Sequence, residues 1–306
     1  MTTYLIKRFL LAIPVLLLTA LLVFSGLHLA GGDPVMMLVP PIAPQETRDA
    51  VRAKLGLDKP LPVQFVIYMS NVLRGDLGRS ILSRREVSEL ILEKLPVTVE
   101  LGVASLALAY LLSIPLGAIA ALNRNSFLDW SSMVVALIGV SMPGFWLGLI
   151  LIFTFAVHFR WFPPTGHASL KHLVLPALAL GLPRVGRMAR ITRSSLLEVV
   201  GQDYIRTARA KGLAERAVVL RHALRNALIP IISLMGLDLG YIVGGSVVIE
   251  HVFARPGIGD MMLRAIYSRD FPVLQGSMFV LALAIILANI IADVAYVIVD
   301  PRIRHK

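Results

Sequence analysis

The sequence predicts an all-α, polytopic membrane protein with six transmembrane helices, and three observations carry that expectation. Of its 306 residues, 57% are hydrophobic and 16% charged, against roughly 45–50% and about 25% for an average soluble domain. The apolar residues gather in long uncharged runs instead of spreading through amphipathic patterns. The basic surplus, a formal net charge of +11, concentrates in short connections between those runs, where positive charge sets topology. There is no cysteine, which excludes disulfides, thiolate metal sites and cysteine nucleophiles together.

A helix needs about 20 mostly apolar residues to cross roughly 30 Å of hydrocarbon. Five windows satisfy this: residues 9–32, 101–123, 130–157, 227–249 with Asp238 inside, and 271–299 with Asp293 near its end. The first exceeds the apolar stretch of about 7–15 residues in a signal peptide, and His28 spoils a small-residue cleavage pattern, so it reads as a retained anchor. Pro143-Gly144 reads as a kink inside the third window, which is too short for two crossings. A sixth window, residues 172–183, is short, and Arg184, Arg187, Arg190 and Arg193 follow it at a spacing of three. Counting it as the fourth span places Arg184 and Arg187 at membrane depth or beside a water-filled cavity.

Six spans put both termini on one side, and Lys7 and Arg8 mark that side as cytoplasmic. Residues 184–225, with ten basic and three acidic side chains, fall on the same side. So does the tail with Arg302, Arg304 and Lys306. Residues 30–100 balance nine basic against nine acidic side chains, residues 250–275 balance three against three, and both go outside. The cationic rim suits topology and anionic lipid; no aromatic-interleaved basic patch points to nucleic acid.

The chain therefore divides into an anchor span (1–30), an external amphipathic region (31–100) and a core of five spans (101–306). In the external region, residues 44–55 have helix-start chemistry and Gly56 a stop. Residues 57–62 read as a rigid extended link and residues 63–73 as a second helix. Gly75-Asp76-Leu77-Gly78 makes a turn. Val87, Leu90, Ile91 and Leu95 then recur at helical spacing and are expected to lie along the outer surface before Pro96.

Between the fourth and fifth spans, Asp203 is placed to cap a helix, residues 204–211, that Gly212 stops; residues 213–224 read as a second short helix. This compact, cationic helix-turn-helix has the form of an element gripped by a partner. In the fifth span, Gly236, Gly240 and Gly244 form a small-residue ridge suited to close helix approach, within one chain or between two.

These residues resemble the permease subunits of ATP-binding-cassette importers, in the dipeptide, oligopeptide, nickel and glutathione branch. The likeness runs almost end to end. It includes Gly32-Asp33-Pro34, Leu55-Gly56-Leu57-Asp58-Lys59-Pro60, Gly75-Asp76-Leu77-Gly78-Arg79-Ser80 and Ala189-Arg190-Ile191-Thr192-Arg193-Ser194-Ser195. The strongest stretch is Asp203-Tyr204-Ile205-Arg206-Thr207-Ala208-Arg209-Ala210-Lys211-Gly212, continued by His222-Ala223-Leu224-Arg225-Asn226-Ala227. Residues 250–253, Pro256-Gly257-Ile258-Gly259, residues 289–293 and Asp300-Pro301-Arg302-Ile303-Arg304 complete it. Arg206 stands where the general importer motif carries an acid, as in the peptide branch.

The resemblance implies that residues 203–212 dock into an ATPase subunit. It also implies a homologous second permease, two ATPase subunits and an external substrate-binding protein as partners, in a bacterial inner membrane. The chain itself would be non-catalytic, binding no metal or cofactor, with ATP and Mg²⁺ used by the partner subunits. In agreement, no G-x-x-x-x-G-K-[ST] phosphate cradle occurs in it. The implied cargo is a small solute, a di- or oligopeptide or a glutathione-like peptide, with nickel or a metal chelate as the alternative; His158, His167 and His172 are the histidines nickel would draw on, although they lack a carboxylate at ligand spacing. An autonomous secondary transporter is a further alternative. So is a membrane aspartyl protease, because Gly257-Ile258-Gly259-Asp260 matches GxGD and Asp238 offers a second acid. Asp238 and Arg184, opposite charges deep in the fifth and fourth spans, are expected either to pair beside the translocation pathway or to be satisfied separately, Asp238 by water and Arg184 by snorkelling; Arg187 is assigned to the same pathway.

Overall fold

A computed structural model describes residues 2–29, 35, 39, 42, 44–54 and 56–299, and their regular structure is helical. Gly32-Asp33-Pro34, Leu55 and the tail from Asp300 lie outside the described residues. The chain groups into two compact units, residues 2–97 with 256–284, and residues 98–255 with 285–306. Two long helices, α4 (Val87–Leu122) and α13 (Phe271–Val299), contribute residues to both.

The first unit holds α1 (Thr2–Leu29), α2 (Gln45–Lys54) and α3 (Leu61–Leu73). Gly56 ends α2 with φ +67°, a conformation that only glycine adopts freely. The expected extended link is instead a turn at residues 56–58, closed by the Lys59 N–H on Gly56 O at 3.4 Å, and α3 already starts at Leu61, with Pro60 at the cap and Pro62 in the first turn. Proline suits that turn because its fixed φ is helical and its missing N–H has no partner there. Phe24 packs its ring against Phe65 at 5.5 Å and Tyr68 at 6.1 Å, which ties α1 to α3.

Residues 87–95 do not form a separate surface-lying segment. They open α4, which runs unbroken through Pro96 to Leu122. Val87 and Ile91 are buried, and a Cβ on Gly276 of α13 would lie 2.6 Å from Val87 Cγ1. The apolar stripe thus has a protein partner, and a proline that removes one ladder hydrogen bond does not end so long a helix. The turn before it is pinned by buried Asp270, whose carboxylate accepts hydrogen bonds from Ser80 Oγ (2.5 Å) and the Ile81 and Leu82 N–H groups (3.1 and 3.4 Å). A short helix, α12 (Ile258–Tyr267), precedes Asp270.

The second unit continues with α5 (Phe127–Ser141) and α6 (Gly144–Leu151), the latter widening into a π-helical stretch, Ile152–His158. The kink expected at Pro143-Gly144 is a break: the helices meet at 105°. Pro143 holds Met142 extended at φ −93°, ψ 127° and caps α6 with no N–H to give. Helix α7 (Lys171–Val200) is central. Its Gly181 and Gly186 meet the backbones of α4 and α5, where an added Cβ would stand 2.7 Å from Ser105 O and 1.9 Å from Ala136 O. Gly117 of α4 meets α7 the same way, 2.5 Å from Ala189 O. After α7 come α8 (Asp203–Ala210), α9 (Glu215–Ala217), a π-helical stretch Val218–Ala223, α10 (Leu224–Ala227) and α11 (Ile229–Val252). The apolar core joins Leu101, Tyr110, Leu175, Met188, Ile231, Ile249 and Phe253.

Among the described residues, α4 and residues 271–292 of α13 are long and apolar enough to cross a membrane, with α5 and α6 a third crossing if the bent pair is one span. Helices α1, α7 and α11 have 28, 30 and 24 residues, lengths of about 36–45 Å at 1.5 Å per residue.

Candidate functional site: an exposed cationic hairpin and a buried charge cluster

Helix α8 is amphipathic at the scale of two turns. Ile205 and Ala208 turn inward and pack with Ala121, Leu196, Val218, Ala223 and Ala227. Tyr204, Arg206, Thr207, Arg209, Ala210, Lys211 and Gly212 stay exposed, as does Asp203. The N-cap is Gln202, which makes no side-chain capping bond, so Asp203 is the first helical residue and not the cap. Its carboxylate still sits where the helix dipole favours negative charge. Gly212 turns the chain with φ +77° and has open space around it, so its conformation, not its size, is what the site needs.

Two contacts that sequence reasoning missed close the hairpin. Arg209 donates from Nε and Nη2 to Glu215 at 3.0 and 2.6 Å, and Asn226 donates to Tyr204 Oη at 2.8 Å. The bidentate Arg209 guanidinium holds the Glu215 carboxyl below its ordinary range. That contribution is therefore complete at neutral pH and lost as pH falls through the carboxylate range. The second helix starts at Glu215, later than expected, since Ala214 is extended at ψ 137°. It runs through the π-helical stretch to Ala227.

The second feature lies where α4, α7 and α11 meet. Asp238, nearly inaccessible, accepts hydrogen bonds from Arg187 Nη2 (2.5 Å) and Tyr110 Oη (2.7 Å). Arg184 is also buried; its Nε stands 3.9 Å from the same carboxylate, and its Nη1 donates to Leu180 O at 2.6 Å. Asp238 and Arg184 are thus brought together, but Arg187 is the closer partner and Tyr110, 128 positions away, completes the cluster. Nearly two turns beyond Arg187 along α7, Arg193 grips Asp129 of α5 with two hydrogen bonds of 2.6 and 2.7 Å. Removing one member of a buried ion pair leaves the other uncompensated, at about 3–5 kcal/mol. Asp238→Asn is accordingly expected to lower the detergent melting temperature of the permease, and the Asp238→Asn, Arg187→Gln double variant to melt higher than Asp238→Asn alone; strictly additive losses would dissolve the pair.

The remaining candidates lie at separate places among the described residues. Gly240 faces α13, where a Cβ would meet Asn289 Oδ1 at 2.9 Å, whereas Gly244 has nothing within 4 Å. Gly236 lies in α11 with its surroundings outside the described residues. His167 pairs with Glu100 at 3.4 Å, His172 with Ser169 at 3.0 Å, and His158 lies edge-on to Phe159. No group of three metal-ligating side chains occurs among the described residues. Asp260 sits buried in α12 and accepts from Arg264 Nε at 2.6 Å. Arg255, fully buried, donates to Glu100 (2.9 Å) and to His172 O (3.4 Å), which ties the α6–α7 connection to the end of α11.

The regular structure of the described residues is helical and largely apolar, and the chain belongs to the family of binding-protein-dependent transport system inner membrane components, a class of transport permease. Residues 113–305 match that family and residues 1–102 match the N-terminal part of such components. It is a multi-pass permease subunit of a bacterial inner-membrane importer of the ATP-binding-cassette class. Over all 306 residues, and over the full length of each relative, the chain is 44% identical to the glutathione transport system permease protein GsiC of Salmonella typhimurium LT2 and 43% identical to that of Escherichia coli K12. Its fold is similar to the inward-facing MetNI methionine ABC transporter, with a TM-score of 0.60 and 20% identity over 69% of this chain and 96% of the other.

Proposed function

We propose that this chain forms half of the translocation route for a small peptide, glutathione or a glutathione-like peptide, with a homologous second permease forming the other half. The observation that carries the cargo is the full-length likeness to two glutathione permeases. Two ATPase subunits use ATP and Mg²⁺, and an external binding protein delivers the peptide. In this reading α1, α4, the α5–α6 pair, α7, α11 and α13 are the six spans, both termini are cytoplasmic, and residues 203–227 seat in the ATPase. Closure of the ATPase pair pushes the hairpin, and α7, packed on α4 and α5 through glycines, carries the push into the route.

Reconstitution tests the cargo. The complete importer in vesicles is expected to accumulate labelled glutathione only with the loaded binding protein outside and ATP at the hairpin face; uptake of a metal chelate but no peptide would overturn the reading. Topology has its own test. A reporter active only outside the cytoplasm is expected to work when inserted beside Ser80 and to fail beside Gly212, and the reverse pattern would sink the six-span arrangement.

A further inference from the structure

The arginines of α7 do more than neutralise two acids. Arg187 gives one end of its fork to Asp238, yet its side chain is 55% exposed, while that of Asp238 is 2% exposed. Arg187 lines an open surface cleft of about 470 Å³ with Met133, Arg190, Ile191, Arg193 and Ser194. Arg193 has its fork committed to Asp129. Arg190 is exposed and makes no ion pair among the described residues. Three guanidiniums, Arg187, Arg190 and Arg193, line this cleft, and two of them reach back to buried carboxylates, Arg187 to Asp238 and Arg193 to Asp129. The cleft therefore sets three cationic side chains beside the apolar side chains of Met133 and Ile191.

We propose that Arg187 and Arg190 bind the carboxylate that an anionic peptide in transit carries in addition to its C-terminal one, with Asp238 as the resident counter-ion of Arg187. The inference rests on the peptide reading above and names the charge class of its cargo. A guanidinium forms paired hydrogen bonds with a carboxylate, which fixes the arriving group's orientation. A route through a membrane must also release what it binds. Asp238 supplies that release: fixed by Tyr110 Oη, it stays beside Arg187 and competes with the visiting carboxylate. Arg190, one turn further along α7 toward its cytoplasmic end, has no such competitor and receives the carboxylate that Arg187 gives up.

The test uses the complete importer in phosphatidylcholine vesicles, with and without phosphatidylglycerol, and compares uptake of glutathione and Ala-Glu with uptake of Ala-Lys from saturating loaded binding protein. Arg190→Gln leaves no buried charge uncompensated and is expected to lower uptake of the two anionic peptides about tenfold, to change Ala-Lys uptake less than about twofold, and to be rescued by Arg190→Lys. The Arg187→Gln, Asp238→Asn double variant removes a whole pair and is expected to show the same charge-selective loss. Equal losses for all three peptides, or none, would overturn the inference while leaving the peptide reading intact. A loss seen only with phosphatidylglycerol would assign the cleft to a lipid headgroup and overturn it as well. A wild-type importer that moves none of the three would overturn both.

Discussion

Gly186→Leu is expected to remove the chain from the membrane fraction, and Gly186→Ala to lower its melting temperature in detergent more than any other single-methyl addition in α7. An added Cβ at Gly186 would stand 1.9 Å from Ala136 O and 2.7 Å from Ala136 C and Val140 Cγ2. The first two are backbone atoms of α5, so no side chain can rotate away and the helices must separate. Overpacking usually costs about 1–3 kcal/mol, and an overlap with backbone belongs above that range. The matched control is Gly244→Ala, where nothing lies within 4 Å and replacing a helical glycine by alanine is worth roughly 0.5–1 kcal/mol in the stabilising direction. Equal behaviour of the two alanine variants in a thermal scan would show that the α5–α7 contact is not as close as described.

That contrast also shows where sequence reasoning reaches and where it stops. A ridge of glycines at Gly236, Gly240 and Gly244 announces itself by spacing, yet among the described residues the closest approaches to another helix's backbone involve Gly117, Gly181 and Gly186, which follow no such period. Close approach is a property of two helices, and one helix's sequence holds half of it. The helices themselves were legible, since their apolar lengths exceed what a soluble core requires. The break at Pro143 was visible as a proline but not as a 105° bend, because how far a chain turns at an interruption is decided by what each half packs against. The start of α4 misled for the same reason: Val87 and Ile91 carry the stripe of a surface-lying helix, and only Gly276 on α13 shows that the stripe is covered from within.

The charge cluster divides along similar lines. Asp238 and Arg184 stood out because a charge inside an apolar window needs a partner or water. Choosing between Arg184 and Arg187 requires the rotation of α7, which places Nη2 of Arg187 on the carboxylate and leaves Arg184 Nε at 3.9 Å. Tyr110 had no signal at all, since a single tyrosine in a spanning helix is ordinary. The hairpin was the more legible site: helix, glycine turn and second helix follow from local chemistry. Its fastening by Glu215 and Asn226 did not, because both contacts depend on how tightly the turn folds back.

Gly212→Val is expected to leave insertion and membrane level near normal while transport and substrate-stimulated ATPase activity fall together by at least about tenfold, the factor that corresponds to ~1.4 kcal/mol. Its φ of +77° lies in a region where an L-residue pays roughly 1–2 kcal/mol, and a β-branched residue is a conformational outlier there. The surrounding space is open, so the penalty falls on the turn and not on packing. A valine pushes the turn toward negative φ, which draws Arg209 off Glu215 and splays the exposed faces of α8 and the helix after it. Ile205 and Ala208 remain rooted in the apolar cluster, which is why the chain still folds. Gly212→Asn, which tolerates the left-handed conformation, is expected to retain most of the transport. Glu215→Gln is expected to lie between the two, since it keeps the backbone but loses the ion pair with Arg209. If Gly212→Val transports at the wild-type rate, or if asparagine and valine are equally damaging, the turn is not what couples this chain to its ATPase.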